Sequence, residues 1–228
     1  LPKGKSAEVI IDLMNKSHDI LAKHEINKVR VDLGENPANM IWLWGQGKRP
    51  SMPTYKERFH KTGAVISAVD LIKGIGKIVG LEVVDVPGAT AYYDTDYQAK
   101  ADYGIRAIKR KDFVFVHVEA PDEAGHNGDL REKIIAIERF DKHIVGTFLN
   151  YFRKADKDFR ILILPDHATP LSVRTHTADT VYFALYGTGV AHNGFEAIGE
   201  QKAKESSVVF SAGVDLIEAF FKEGEFNA

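Results

Sequence analysis

Carboxylates and imidazoles gather at two places in this chain. Asp122 and His126 stand four residues apart with Glu123 between them, and Asp166 is followed at once by His167, with His176 nine residues further on. Carboxylate plus neutral imidazole is a common ligand set for zinc, manganese and similar divalent ions. A lone Asp-x-x-x-His is an ordinary surface pair, and so is a lone Asp-His. Here each group comes straight after an apolar run, with a third histidine near the second. Together they define a candidate divalent-metal centre. The chain has no cysteine, so thiolate ligands and disulfides are excluded and any ion must be held by oxygen and imidazole nitrogen.

The elements that must position these residues are two short strands. Phe113 to Val118 is a near-continuous apolar run, which predicts a strand buried on both faces of a parallel sheet, stopped by Pro121. Asp122, Glu123 and His126 then fall in the loop that follows. Ile161 to Leu164 repeats the design, with Pro165-Asp166-His167 at its end and His176 in the loop before a third strand, Val181 to Tyr186. Open α/β sheets bind ligands outside the carboxyl ends of their strands, which is where both groups lie.

Elsewhere the pattern predicts helices over Ser6–Ile26 with Ser6 as N-cap, over 68–79 capped by Ser67 and closed by Gly80, over Asp94–Lys109, and over Gly213–Lys222. The longest helix is expected at Asp129–Phe152, with Leu130, Ile134, Ile137, Ile144, Phe148 and Tyr151 as its apolar stripe. Asp32–Ala38 is a turn-rich connector. Met40–Trp44 is a short strand ended by Gly45-Gln46-Gly47, 49–63 is irregular, and Leu81–Val86 is another strand. Alternating strands and helices give an α/β fold, a mostly parallel sheet flanked by helices. Residues 1–35 form a helix and connector, and 36–228 the metal-binding domain.

Of the 228 residues 44% are hydrophobic, enough for one sizeable core, and the net charge of −2 with dispersed basic residues excludes a broad nucleic-acid footprint. No apolar run reaches the ~20 residues of a membrane span, and no secretory pattern opens the chain, so a cytoplasmic enzyme or part of one is expected.

Several stretches resemble one family. APDEAGH at 120–126, ILILPDH at 161–167 and THTAD at 175–179 are similar to the metal signature of the alkaline-phosphatase superfamily. NMIWLWGQGKRP at 39–50, ISAVDLIKGIG at 66–76 and VPGATAYYDTDYQAKA at 86–101 resemble its cofactor-independent phosphoglycerate mutases, in the archaeal-type branch. The resemblance implies an alkaline-phosphatase-like fold and two divalent metal ions (Mn, Zn, Mg or Co), the first on Asp122, His126 and His176 and the second on Asp166 and His167. It also implies a small phosphorylated substrate, with 3-phosphoglycerate and 2-phosphoglycerate interconverted through a phosphoserine enzyme. The family's first strand, with its aspartate and serine nucleophile, has no counterpart here. The chain, which lacks an initiator methionine, is therefore expected to be the C-terminal part of such an enzyme, inactive alone. Another phosphomonoesterase or phosphotransferase of the superfamily stays open, as does a non-catalytic metal-binding domain; no membrane or nucleic-acid partner is implied, and an oligomer is possible.

Other residues carry weaker expectations. Arg174, Lys48 and Arg49 are candidates for a substrate phosphate or carboxylate, which a guanidinium matches in bidentate geometry. Glu123 is a candidate acceptor for a ligand imidazole, and His117 can line the site from its strand. His18, His24, His60, His143 and His192 lack ligand spacing. GIGKIVG at 74–80 lies on a helix, so its glycines serve packing and not phosphate binding. Trp42 and Trp44 are expected in the core.

Overall fold

The computed structural model describes every residue except 1, 46, 156, 223, 225, 227 and 228. The chain divides into two compact units, Leu1–Pro50 and Ser51–Ala228.

The first unit begins with α1 (Ala7–Leu21) and α2 (Glu25–Asp32), where one helix is expected. The break falls at His24, whose Nδ1 accepts the Ile26 N–H at 3.2 Å and starts the second helix. Ser6 is left-handed (φ 69°) and makes no side-chain cap bond, contrary to its expected role. Asn27 is buried and ties both helices to the following segment, donating to Leu21 O (2.6 Å) and Ala38 O (3.0 Å) and accepting from Ala38 N (2.9 Å). Met40–Trp44 is not a strand. The Ile41 N–H goes to Ser17 Oγ at 3.0 Å and not to a neighbouring strand. Without a sheet to bury them, Trp42 and Trp44 are 60% and 81% exposed. Of the expected terminator, residue 46 lies outside the described residues.

The second unit opens where irregular chain is expected. Thr54 and Glu57 form a capping box, the side chain of each accepting from the other's backbone, and this starts α3 (Tyr55–Phe59). Next comes β1 (Gly63–Ile66), the most buried strand described, with Ala64, Val65 and Ile66 all at 1% exposure or less. It is followed by α4 (Asp70–Ile78), β2 (Glu82–Val83), α5 (Tyr97–Ile108) and β3 (Phe113–Val116). The three strands form a parallel sheet in the order β2-β1-β3, Ala64 opposite both Glu82 and Val114. The right-handed crossover rule for such units places helices on the sheet's faces. β3 therefore stands at an edge of the described sheet, half-buried with Phe115 46% exposed; β1 holds the central, doubly covered position expected of β3. Gly63 and Gly76 explain the tight packing around β1. A Cβ on the first would meet the Phe113 ring at 2.2 Å, and on the second Val65 Cγ1 at 2.5 Å. Gly80 closes the α4 turn with φ 80°.

After β3 come α6 (Ala120–Asn127), α7 (Leu130–Arg139), a π-helical segment (Phe140–Val145) and α8 (Gly146–Ala155). The long helix is thus present, started by Asp129, whose carboxylate accepts from Glu132 N at 3.0 Å. Its expected stripe is divided. Ile144 is 4% exposed and Phe148 packs on the core with Tyr97, Ala101, Ala120 and Ala136, but Leu130, Ile134 and Ile137 are 60%, 49% and 50% exposed. The wide π turn holds one residue more than an α turn, so a 3.6-residue count carried through it drifts off the true face. β4 (Arg160–Ile163) pairs with β5 (Ala184–Gly187), antiparallel, as a separate two-stranded sheet. The chain then forms α9 (Glu200–Ala203) and α10 (Gly213–Phe221). Arg160 gathers this end, donating to Thr188 O (2.9 Å), Phe220 O (3.1 Å) and Lys222 O (2.7 Å). Among the described residues no helix is long and apolar enough to cross a membrane.

Candidate metal centre

Asp122 and His126 lie on a helix, not in a loop. Pro121 in the first turn of α6 costs no hydrogen bond, and Gly128 ends the helix in the left-handed region (φ 68°). Four residues apart on a helix, the two side chains share a face, and His126 Nε2 sits 3.2 Å from Asp122 Oδ2.

The other candidates come from the segment after β4. This segment is held by an isolated bridge between Ala168 and Thr177, with Thr177 N donating to Ala168 O at 3.1 Å. His176 Nε2 lies 3.4 Å from Asp122 Oδ1 and 3.1 Å from His126 Nε2. The ring of His167 lies against that of His176 at a tilt of 33°, centroids 3.8 Å apart, and donor atoms of Asp122, His167 and His176 all lie within 4.8 Å of one another. Asp166 is mostly exposed; its Oδ1 accepts from His167 N at 3.0 Å and its Oδ2 is 3.6 Å from His167 Nε2. His167 thus touches both the Asp122 group and Asp166.

Thr169, which nothing in the ligand spacing flags, joins the two halves. It is 5% exposed, its hydroxyl donates to Asp122 Oδ1, and its Oγ1 lies 3.2 Å from His167 Nδ1. Lys133 Nζ fixes the Thr169 carbonyl at 2.6 Å. A Cβ on Gly125 would come within 2.5 Å of that carbonyl, so glycine lets α6 and the segment meet backbone to backbone. The only trace in the sequence is that Thr169 follows His167 by two residues and that Gly125 interrupts the helix.

Arg174 contributes its backbone. It is left-handed (φ 58°), with its N–H on Pro170 O at 2.8 Å, and its carbonyl meets His126 Nδ1 at 3.0 Å. Its exposed guanidinium lies over Gly128. A carbonyl only accepts, so His126 Nδ1 carries the hydrogen and Nε2 turns a bare lone pair toward the Asp122 carboxylate and His176. Lone pairs and carboxylate oxygens packed this closely repel unless a hydrogen on His176 Nε2 or a cation lies among them. Two nitrogens bound tetrahedrally to one ion at ~2.0–2.1 Å stand roughly 3.3 Å apart, close to the spacing of the two Nε2 atoms. The donor set therefore fits a divalent cation. Lys48 and Arg49 belong to the first unit, where both are exposed.

Charge crowds the same end of β3. Burial, then Asp122 and Asp166, raise the Glu119 carboxyl above its ordinary range, and burial lowers the His117 imidazole. Lys100 on α5 is 1% exposed, and burial brings its ammonium down to about 8 while it donates to His117 O at 3.2 Å. Glu123 joins Glu119 and Asp122 in a second group of oxygens within 4.8 Å.

A parallel α/β sheet whose strand β3 leads into Asp122 and His126, met by imidazoles from the segment after β4, has the make-up of a metal-binding α/β domain. The chain belongs to the Metalloenzyme superfamily, whose family model matches residues 10–210. It is 50% identical over 218 residues to a 2,3-bisphosphoglycerate-independent phosphoglycerate mutase of Methanosarcina acetivorans, covering 95% of this chain and 55% of that protein. A second mutase of that name, from Methanothermobacter thermautotrophicus, is 49% identical over 209 residues, with 91% of this chain and 52% of the relative covered. A Pyrococcus horikoshii protein of solved structure superposes with a TM-score of 0.76 at 33% identity, over 87% of this chain and 52% of that one. The cofactor-independent phosphoglycerate mutase of Thermoplasma acidophilum shares the fold at a TM-score of 0.53 and 24% identity, over 90% of this chain and 48% of its own. The chain spans about half the length of the curated relatives it matches.

Proposed function

We propose that this chain is the metal-holding part of a phosphoglycerate mutase that interconverts 3-phosphoglycerate and 2-phosphoglycerate through a phosphoserine enzyme, a cytoplasmic step of glycolysis and gluconeogenesis. The observation that carries this reading is the meeting of Asp122, His126 and His176 in a chain 50% identical to such mutases over nearly its whole length. Two divalent ions fit the reading. Asp122, His126 and His176 hold the first, and Asp166 and His167 hold the second with donors from outside the chain. When bound, such ions supply Lewis-acid charge to phosphoryl oxygens and to an ionised hydroxyl.

The chain's own residues do the positioning. Arg174 O fixes the His126 tautomer, Thr169 holds one oxygen of Asp122 and leaves the other toward His126, and the Lys133–Thr169 contact sets the distance between α6 and the segment after β4. Phosphoryl transfer depends mainly on such placement and on neutralising charge. Arg174 is the cation we assign to the substrate's phosphate or carboxylate.

The test is an assay of the complete protein and of this chain with 3-phosphoglycerate and Mn²⁺. We expect 2-phosphoglycerate from the complete protein, none from the 228-residue chain, and loss of activity in the complete protein on His126→Ala. Hydrolysis of a generic phosphate ester without isomerisation would make it a phosphomonoesterase of the same superfamily.

A further inference from the structure

β1 and β3, neighbours in the parallel sheet, each end in a polar residue that the ligand set leaves out. Ser67 follows β1 directly and is 3% exposed. Its Oγ accepts the Val69 N–H at 3.0 Å, a local turn and not the helix cap expected of it, and lies 3.2 Å from His117 Nδ1. On the other edge of the ring, His117 Nε2 lies 3.4 Å from Glu119 Oε2. The side chains of His117 and Glu119 are 14% and 24% exposed. The backbone of His117 is engaged as well, its N–H on Ile66 O at 2.8 Å and its carbonyl on Lys100 Nζ at 3.2 Å. Three polar atoms of His117 are therefore hydrogen-bonded, and the fourth, Nε2, faces the Glu119 carboxylate.

The hydrogens in this chain of contacts can be placed. A carboxylate only accepts, so the 3.4 Å contact with Glu119, longer than a formed hydrogen bond, suits an imidazole hydrogen on Nε2. A neutral ring then leaves Nδ1 bare, and it takes the single hydroxyl hydrogen of Ser67, whose lone pair serves Val69. This is the opposite tautomer to that of His126. His117 consequently shows no lone pair toward the metal centre and cannot be one of its ligands through Nε2.

We propose that Glu119 is a positioning residue of the metal centre, aimed by the buried Ser67–His117 pair so that its carboxylate stays beside Asp122 and Glu123. The inference rests on the metal-holding role given to Asp122 above. Donor oxygens of Glu119, Asp122 and Glu123 lie within 4.8 Å of one another, and like charges at that spacing repel. A free glutamate there would swing into water. The Nε2 edge of His117, 3.4 Å from the carboxylate, opposes this and keeps a further negative charge where it favours a cation on Asp122. The sheet's innermost strand thereby sets the field at the site through three side chains, none of them a ligand in the set above.

Two measurements on the 228-residue chain test this. A ¹⁵N side-chain spectrum of the unsubstituted protein should show His117 as the neutral Nε2–H tautomer, a result that requires no variant to fold. In Mn²⁺ titrations, Glu119→Gln should weaken binding about 10-fold, as losing an outer partner of a metal ligand does. Ser67→Ala should weaken it in the same direction, Ser67→Thr should restore it, and Ser67→Ala should add nothing in the Glu119→Gln background. An Nδ1–H tautomer for His117, unchanged Mn²⁺ affinity in Glu119→Gln, or equal effects of Ser67→Ala in both backgrounds would each overturn the proposal. Those results would leave the metal reading intact, whereas Mn²⁺ binding that survives Asp122→Ala would remove that reading itself.

Discussion

Two regions of unlike construction supply the candidate ligands. α6 gives Asp122 and His126 from a regular helix, where the 3.6-residue repeat alone puts both on one face. The segment after β4 gives Asp166, His167 and His176 from irregular backbone, held by a few specific features: the Ala168–Thr177 bridge, the Thr169 hydroxyl, the left-handed turn at Arg174. A helix holds its ligands by periodicity and stays in place when one is lost. An irregular segment holds them by a few specific contacts and loosens when one contact goes. Changes on α6 should therefore act on binding alone, and changes in the segment on binding and order together.

The largest expected effect is on the helical side. Asp122 touches His126, His176 and Thr169, so Asp122→Ala should abolish the first Mn²⁺ binding step in calorimetry, while melting temperature in the absence of metal changes little. Asp166→Ala, at an exposed residue that touches His167, should leave that first step measurable. Equal loss from both changes would erase the distinction between the two regions.

Next comes Lys100, which holds the His117 carbonyl just past the end of β3. The folded pKa of Lys100, about 8, lies below the ordinary 10.5. Between those values the unfolded chain binds a proton that the folded chain releases, so stability should rise with pH across that window. Below pH 8 the buried charge costs on the order of 3 kcal/mol, with Glu119 the nearby anion that offsets part of it. Lys100→Met should flatten the rise in denaturation curves taken between pH 7 and 10.5. A wild-type stability independent of pH there would mean that the ammonium reaches water.

Smaller effects should come from the irregular side. Thr169→Val keeps the volume and removes the hydroxyl shared by Asp122 and His167, and Mn²⁺ affinity should fall about 10-fold. Arg174→Gly should gain about 0.5–1 kcal/mol of stability by relieving the left-handed backbone. It should change Mn²⁺ affinity less than Thr169→Val does, because the contact to His126 is made by the carbonyl and survives. Denaturation and calorimetry on the same samples separate the two quantities.

The candidate ligands were legible because their chemistry is local: an Asp-x-x-x-His after an apolar run, an Asp-His after another. His176 was legible as a third histidine near the second group, but its pairing with Asp122 and His126 came only through the resemblance, since nothing in a nine-residue separation dictates that a loop turns back. The helical state of 120–127 was hidden by Pro121, Gly125 and Gly128, which mark loops by type but here occupy a first turn, a close contact and a C-cap. β1 was missed because Gly63–Ile66 is too short to show a period, although its burial makes it the centre of the sheet. Trp42 and Trp44 mislead for a related reason. Alternation signals a strand only where another strand exists to take its hydrogen bonds, and Asn27 and Ser17 take part of that role in the first unit. Thr169, Lys133 and Glu119 act through contacts across the fold, which no spacing along the chain encodes.

The wide turn at Phe140–Val145 bears on how chain length can vary. Elsewhere in a long helix, removing one residue rotates everything beyond it by about 100° and turns core positions toward water. Here the extra residue is already absorbed. Deleting one position within 140–145 would restore an unbroken α-helix with both flanking faces still pointing as they do now. This segment is therefore where the helix should tolerate a single-residue gap when homologous chains are aligned, and the same gap two turns away, in α7 or α8, should not survive selection for folding.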